Sequence, residues 1–203
     1  MNILPLSFYT RPDVILIARE LLGKVLVTRF GGKLTSGVIC ETEAYNGITD
    51  RASHAFGGRR TARTEIMYWN GGTAYVYLCY GVHSLFNVVT NKTDIPHAVL
   101  IRAIEPLEGT GQMLKRAGKS RFTKNIGDGP GKVARLLGIH YSHTGHDLTE
   151  MPVNTNNDRI WIEDRGIIIM GENIQAGPRI GVEYAGKDAR LPYRFRVNDQ
   201  LLR

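Results

Sequence analysis

An apolar run, Val38-Ile39-Cys40, passes directly into Glu41-Thr42-Glu43-Ala44-Tyr45, so two carboxylates and a tyrosine stand in what otherwise reads as a buried strand. A carboxylate held half out of water needs a partner, or it is there to do chemistry. Strict alternation puts Ile39, Glu41, Glu43 and Tyr45 on one face and Val38, Cys40, Thr42 and Ala44 on the other. Two readings are open at this level: the acids form the solvated face of an amphipathic strand, or they include a half-buried general base. Strand parity does not separate Glu41 from Glu43. Their use as an acid/base pair on a small molecule is disfavoured, because alternate residues on one strand lie only about 7 Å apart and point the same way.

The elements around this strand can be read from their periodicities. Thr10-Arg11-Pro12-Asp13 looks like a helix start with a threonine cap and proline in the first turn, after which Val14, Ile17, Ala18, Leu21 and Leu22 mark one face and Gly23 ends the helix. Residues 24–29 and 34–45, with Gly31-Gly32 between them, read as a hairpin that leads into the acidic strand. Residues 46–72 form a long loop, a length that favours a functional role. Thr73 to Tyr80 has strong β-propensity and turns back through Gly81 into Leu85 to Thr90, which places Tyr80 at a hairpin tip.

A further strand, Ala98 to Ile104, carries the single charge Arg102, and a buried arginine calls for carboxylates. Helices are expected around Gly111 to Ala117 and after Asp128, read as a cap with Pro130 in the first turn. Short strands are expected at Arg159 to Glu163, Gly166 to Met170 and Arg179 to Tyr184.

Composition narrows the class of partner. The chain has 203 residues with 26 Lys and Arg against 19 Asp and Glu, a net +7 that suits a polyanion. There is no linker or repeat, so one domain spanning 1–203 is expected. No apolar run approaches a membrane span and no signal-peptide pattern opens the chain, so the expectation is a cytoplasmic protein without membrane contact. Cys40 and Cys79 lie in apolar strand-like runs and read as core residues in a reducing compartment. His140, His143 and His146 have a spacing that could present metal ligands on a helical turn, but Gly145 and neighbouring Ser and Thr mark a loop, and no metal is expected.

The ordered set Glu41-Thr42-Glu43-Ala44-Tyr45, His54, Tyr75-Val76-Tyr77-Leu78-Cys79-Tyr80-Gly81, Asn87 and Arg102-Ala103-Ile104-Glu105-Pro106-Leu107-Glu108-Gly109 resembles the alkyladenine (3-methyladenine) DNA glycosylases of the mammalian type. The likeness continues through Gly129-Pro130-Gly131-Lys132 and Arg179-Ile180-Gly181-Val182-Glu183-Tyr184-Ala185-Gly186, so it covers nearly the whole chain. It departs from the family at Arg63-Thr64 and at Val82-His83-Ser84, so fine DNA contacts and lesion range are not carried over.

This resemblance implies an enzyme that flips a damaged purine out of double-stranded DNA and hydrolyses its N-glycosidic bond. On matching positions, Glu43 activates the water and Arg102 helps hold it. Tyr45, His54 and Tyr77 wall the base pocket, Asn87 excludes guanine, and Tyr80 is the wedge that fills the gap in the duplex. No lysine falls in the pocket motifs, so no Schiff-base step is expected. The resulting expectation is an α+β single domain with a curved, mostly antiparallel sheet, a protruding β-hairpin and surrounding helices, acting as a monomer without cofactor. A non-catalytic nucleic-acid-binding module with the same aromatic hairpin is the alternative.

Overall fold

In the computed structural model, which describes residues 2–150 and 157–198, the helical elements are α1 (Leu6–Tyr9), α2 (Val14–Glu20), α3 (Thr110–Ala117) and α4 (Pro130–Leu137). The strands are β1 (Val25–Phe30), β2 (Lys33–Tyr45), β3 (Ala74–Cys79), β4 (His83–Thr90), β5 (His97–Glu108), β6 (Arg159–Glu163), β7 (Ile174–Gly177) and β8 (Arg194–Val197). They form one curved antiparallel sheet in the order β3-β4-β5-β2-β1-β6, and the fold is α+β. β2 changes partner along its length: its first half pairs with β1, and Glu41 to Glu43 pair with β8, which in turn carries β7.

Local chemistry explains most of these elements and corrects some expectations. The cap of α2 is Asp13, whose carboxylate accepts from the N–H groups of Ile15 and Leu16, each at 2.9 Å. Thr10 instead closes α1, its hydroxyl donating to Leu6 O. Val14, Ile17, Ala18, Leu21 and Leu22 are all buried as their spacing predicts, each such aliphatic side chain larger than alanine contributing about 1.5–3 kcal/mol of burial. Gly23 follows at φ +83°, where a Cβ would lie 2.8 Å from the carbonyl of Ile167, so the close approach of the chain requires glycine there.

Asp128 does not cap α4. The position before the helix is Gly129, with no side-chain cap, and the Asp128 carboxylate turns to Arg196. Gly166 to Met170 and Arg179 to Tyr184 are not strands; the latter leads into a 3-10 segment, Glu183–Arg190. Both runs have the apolar residues of a strand, but neither supplies a ladder.

One face of the sheet packs α2 and α4 over Ile39, Ala44, Val76, Phe86, Val88, Val99 and Ile101. The opposite face, carrying Tyr75, Val89 and Ala98, is covered by Ala55, Ile66, Met67 and Tyr68 from the long loop. The candidate site lies on this second face.

Candidate active site

Two bulges aim the charged side chains. β2 and β5 keep register from Tyr45 opposite Ala98 to Thr42 opposite Ile101, then pair Glu41 with Ala103 and Ile39 with Ile104, so Arg102 and Cys40 each lack a ladder partner. An extra residue in a strand reverses the facing of the residues beyond it. The expected alternation therefore fails at Cys40: Ile39 joins the helix-side core with Ala44, and Thr42 donates its hydroxyl to Ala18 O at 2.8 Å. Glu41, Glu43 and Tyr45 fall on the other face. Beyond β4's reach, residues 127–129 take its place beside β5, with Gly129 N–H donating to Arg102 O at 2.9 Å and Ile104 N–H to Gly127 O at 3.1 Å.

Both acids are buried, Glu41 at 1% and Glu43 at 0% exposure, which removes the solvated-face reading. Their partners differ. Glu41 is the hub of three arginines: Arg102 Nε and Arg194 Nη1 each donate to its Oε1 at 3.2 Å, and Arg196 Nη1 donates to its Oε2 at 2.8 Å. Among the described residues Glu43 has one ion pair, with Arg102 Nη1 at 3.5 Å, and two neutral donors, the Tyr45 hydroxyl and the Ile180 N–H, each at 2.8 Å. Burial pushes the Glu43 carboxyl above the usual carboxylate range, opposed by Arg102, the Ile180 N–H and the Tyr45 hydroxyl.

Tyr45, His54, Tyr77, Asn87, Arg102 and Ile180 line a cavity of about 300 Å³, at the small end of ligand pockets. Glu43 adds no surface to it and stands directly behind Tyr45, Arg102 and Ile180. His54 meets Tyr77 edge to face, with ring centroids 4.8 Å apart at 77°. Its Nδ1 shares a hydrogen bond of 2.9 Å with the Tyr75 hydroxyl. Burial, with Arg63 and Arg59 nearby, lowers the His54 pKa to about 4, so the ring is neutral at neutral pH. Arg63 stacks over Tyr77 at 5.0 Å but lines a neighbouring groove instead of this cavity. The Asn87 amide donates to the carbonyls of Tyr75 at 3.1 Å and Leu85 at 3.2 Å, which fixes its rotamer at the wall.

Tyr80 stands at the cavity mouth, 93% exposed, at the tip of the β3–β4 hairpin. It has φ +51° and Gly81 φ +71°, and Val82 N–H donates to Cys79 O at 3.1 Å. A tyrosine in this left-handed conformation costs about 1–2 kcal/mol. The turn spends that energy on pushing the ring outward, clear of the sheet. Tyr184, also exposed, stands at the same mouth, with its hydroxyl donating to Ala52 O at 3.1 Å.

All seven residues singled out from the sequence are thus brought to one place: six of them (Tyr45, His54, Tyr77, Tyr80, Asn87 and Arg102) line the cavity or its mouth, and Glu43 lies behind its wall. Sequence reading missed Ile180, whose backbone N–H reaches Glu43, together with Arg179 and Asp50 beside it; the only signal was the Arg179-Ile180-Gly181 motif, misread as a strand. The histidine cluster is used locally. His140 and His143 cap each other across a 3-10 turn, and His143 stacks on Phe30 at 4.3 Å. Among the described residues, no group of three or more His, Cys, Asp or Glu side chains could hold a metal ion, and no helix is long and apolar enough to cross a membrane.

Curated relatives carrying the name "Putative 3-methyladenine DNA glycosylase" include one from Chlamydia felis, 44% identical over 196 residues that cover 96% of each chain. One from Clostridium perfringens is 41% identical over 201 residues, covering 95% of this chain and 94% of its own. One from Bacillus cereus is 43% identical over 199 residues, covering 94% and 93%. The family model described as methylpurine-DNA glycosylase matches residues 7–201. The chain belongs to the methylpurine-DNA glycosylase family.

Proposed function

We propose that this DNA glycosylase extrudes an alkylated or deaminated purine from double-stranded DNA into the cavity between Tyr45, His54 and Tyr77 and hydrolyses its N-glycosidic bond with a water activated by Glu43. The observation that carries this reading is the fully buried Glu43, held against the wall of an aromatic cavity whose mouth carries an exposed tyrosine. Extrusion costs a few kcal/mol of stacking and pairing, less for a lesion, and an inserted ring offsets part of it. Tyr80 is the residue shaped for that insertion. Methylation as in 3-methyladenine or 7-methylguanine leaves the purine cationic, and ring faces rich in π electrons favour a cation over a neutral base. A neutral His54 adds no charge to oppose it. Hypoxanthine, uncharged, would gain no such cation–π contribution.

In the chemical step the bond from C1′ to the purine nitrogen breaks with its electron pair leaving on the base. The sugar takes on oxocarbenium character, water oxygen bonds to C1′, and the water proton passes to Glu43. Glu43 must be ionised to accept it. Arg102 and the two neutral donors favour that form against burial. Asn87, fixed by two backbone carbonyls, would meet the exocyclic amino group of a guanine and disfavour it; 7-methylguanine carries the same group and would have to offset that contact through its cationic charge. Action as a monomer in the cytoplasm, with no cofactor, completes the proposal.

The test is release of free 3-methyladenine from alkylated duplex DNA in the presence of a chelator, beside the corresponding free nucleoside. Release from DNA alone supports the reading. Equal turnover of the nucleoside would argue for a small-molecule hydrolase, and tight lesion binding with no release for a binding module.

A further inference from the structure

The proposed reaction uses neither Arg179 nor Asp50, yet their side chains, at 0% and 1% exposure, form a deeply buried ion pair. Such a pair costs several kcal/mol per ion in desolvation unless its remaining hydrogen-bonding capacity is well met. Here most of it is. Arg179 Nη1 donates to Asp50 Oδ2 and, at 2.9 Å, to Ala44 O. Its Nη2 donates to Asp50 Oδ1 at 2.8 Å and to Asp188 O at 3.2 Å. Asp50 also accepts from the backbone N–H groups of Asn46 and Ala52, each at 3.0 Å. The guanidinium packs against the rings of Tyr45 at 4.9 Å and Tyr193 at 5.3 Å.

The pair therefore ties together the end of β2, the start of the long loop and the segment that carries Ile180. Both neutral donors to Glu43 hang from it. Ile180 is the next residue after Arg179, and Tyr45 lies under the guanidinium, with the carbonyl of Ala44 held by the same Nη1. The geometry points to Arg179, clamped by Asp50, as a positioning residue that aims the Ile180 N–H and the Tyr45 hydroxyl at Glu43.

This inference rests on Glu43 being the base of the proposed reaction. The groups that face Glu43 are Glu41 and Tyr45 on β2, Arg102 on β5, the Ile180 N–H and Arg179, and Tyr184 from the 3-10 segment. Of these, Tyr45, the Ile180 N–H and Arg179 itself depend on the clamp. Loosening it removes hydrogen bonds to the ionised carboxylate and leaves burial in place, so Glu43 becomes harder to ionise.

The experiment is single-turnover excision as a function of pH on a lesion duplex, with Asp50→Asn and Arg179→Lys. Asp50→Asn keeps size and Arg179→Lys keeps charge, and each breaks the bidentate charged fork. The expected result is at least about a tenfold lower rate at neutral pH, with the acid limb of the profile displaced upward and duplex affinity within about threefold of wild type. Should either variant fail to fold by circular dichroism, Tyr193→Leu takes away one face of the stack and is expected to displace the limb in the same direction. A rate loss that is equal at every pH, or an unchanged rate, overturns the positioning role. A wild-type protein that excises nothing, or a Glu43→Gln variant that excises normally, would instead defeat the proposed reaction itself, so the two failures are distinguishable.

Discussion

Arg102 forks between the two acids of β2, its Nε 3.2 Å from Glu41 Oε1 and its Nη1 3.5 Å from Glu43 Oε1. Neighbouring like charges 0–1% exposed would repel strongly, and this cation, shared between them, makes the arrangement tolerable. The division of labour follows from what else each acid touches. Glu41 commits its oxygens to Arg102, Arg194 and Arg196 and joins β2, β5 and β8. Glu43, with one long ion pair and two neutral donors, retains lone pairs for a water.

Glu41→Gln is expected to lower folding stability by about 1.5–3 kcal/mol, the range for hydrogen bonds to a charged group, scaled down from a fully buried pair because Arg194 and Arg196 are partly exposed. Urea unfolding followed by fluorescence measures it. A stability equal to wild type would mean the arginine hub contributes nothing.

Tyr80→Ala touches a ring that makes no buried contact, so stability should stay within about 0.5 kcal/mol of wild type. Affinity for a lesion duplex should fall at least about tenfold, because the extruded base then leaves an unfilled gap in the stack. Fluorescence anisotropy on a labelled abasic-analogue duplex gives the second quantity, and an unchanged affinity would remove Tyr80 from the role of wedge.

The lowered pKa of His54 has a sign that can be worked out. Folded His54 takes up its proton only near pH 4, whereas the unfolded residue does so near 6.5, so between these values the unfolded chain binds more protons. Stability from this group is full above 6.5 and is lost as pH falls through the window, by roughly 1–3 kcal/mol for a partly buried ring. His54→Gln should flatten that part of the stability profile. A profile of unchanged slope would show that the ring is not held neutral.

Part of this arrangement was legible in the sequence for physical reasons that can be named, while the roles of the site residues came from the family resemblance. The tyrosine at the hairpin tip follows from a β-rich run broken by Gly81, and the core helix follows from the spacing of Val14, Ile17 and Leu21. What escaped is long-range. No glycine or proline marks the bulges at Cys40 and Arg102, so strict alternation wrongly grouped Ile39 with Glu41. Asp128 precedes Pro130 as a cap would, but Arg196 offers it a charge that a helix terminus does not match. Arg179 is 129 residues from Asp50, and nothing local in either segment announces the pair. Arg179 to Tyr184 has the apolar pattern of a strand but builds no ladder, and its Ile180 N–H goes to Glu43 instead.

The central claim is that Glu43 is the base, and the most direct measurement is single-turnover release of 3-methyladenine from alkylated duplex DNA by wild type and by Glu43→Gln, with duplex affinity measured in parallel. The expected result is a rate reduced at least about 100-fold with affinity within about threefold, since the amide keeps the shape but cannot take the water proton. Release by Glu43→Gln at the wild-type rate would contradict the account.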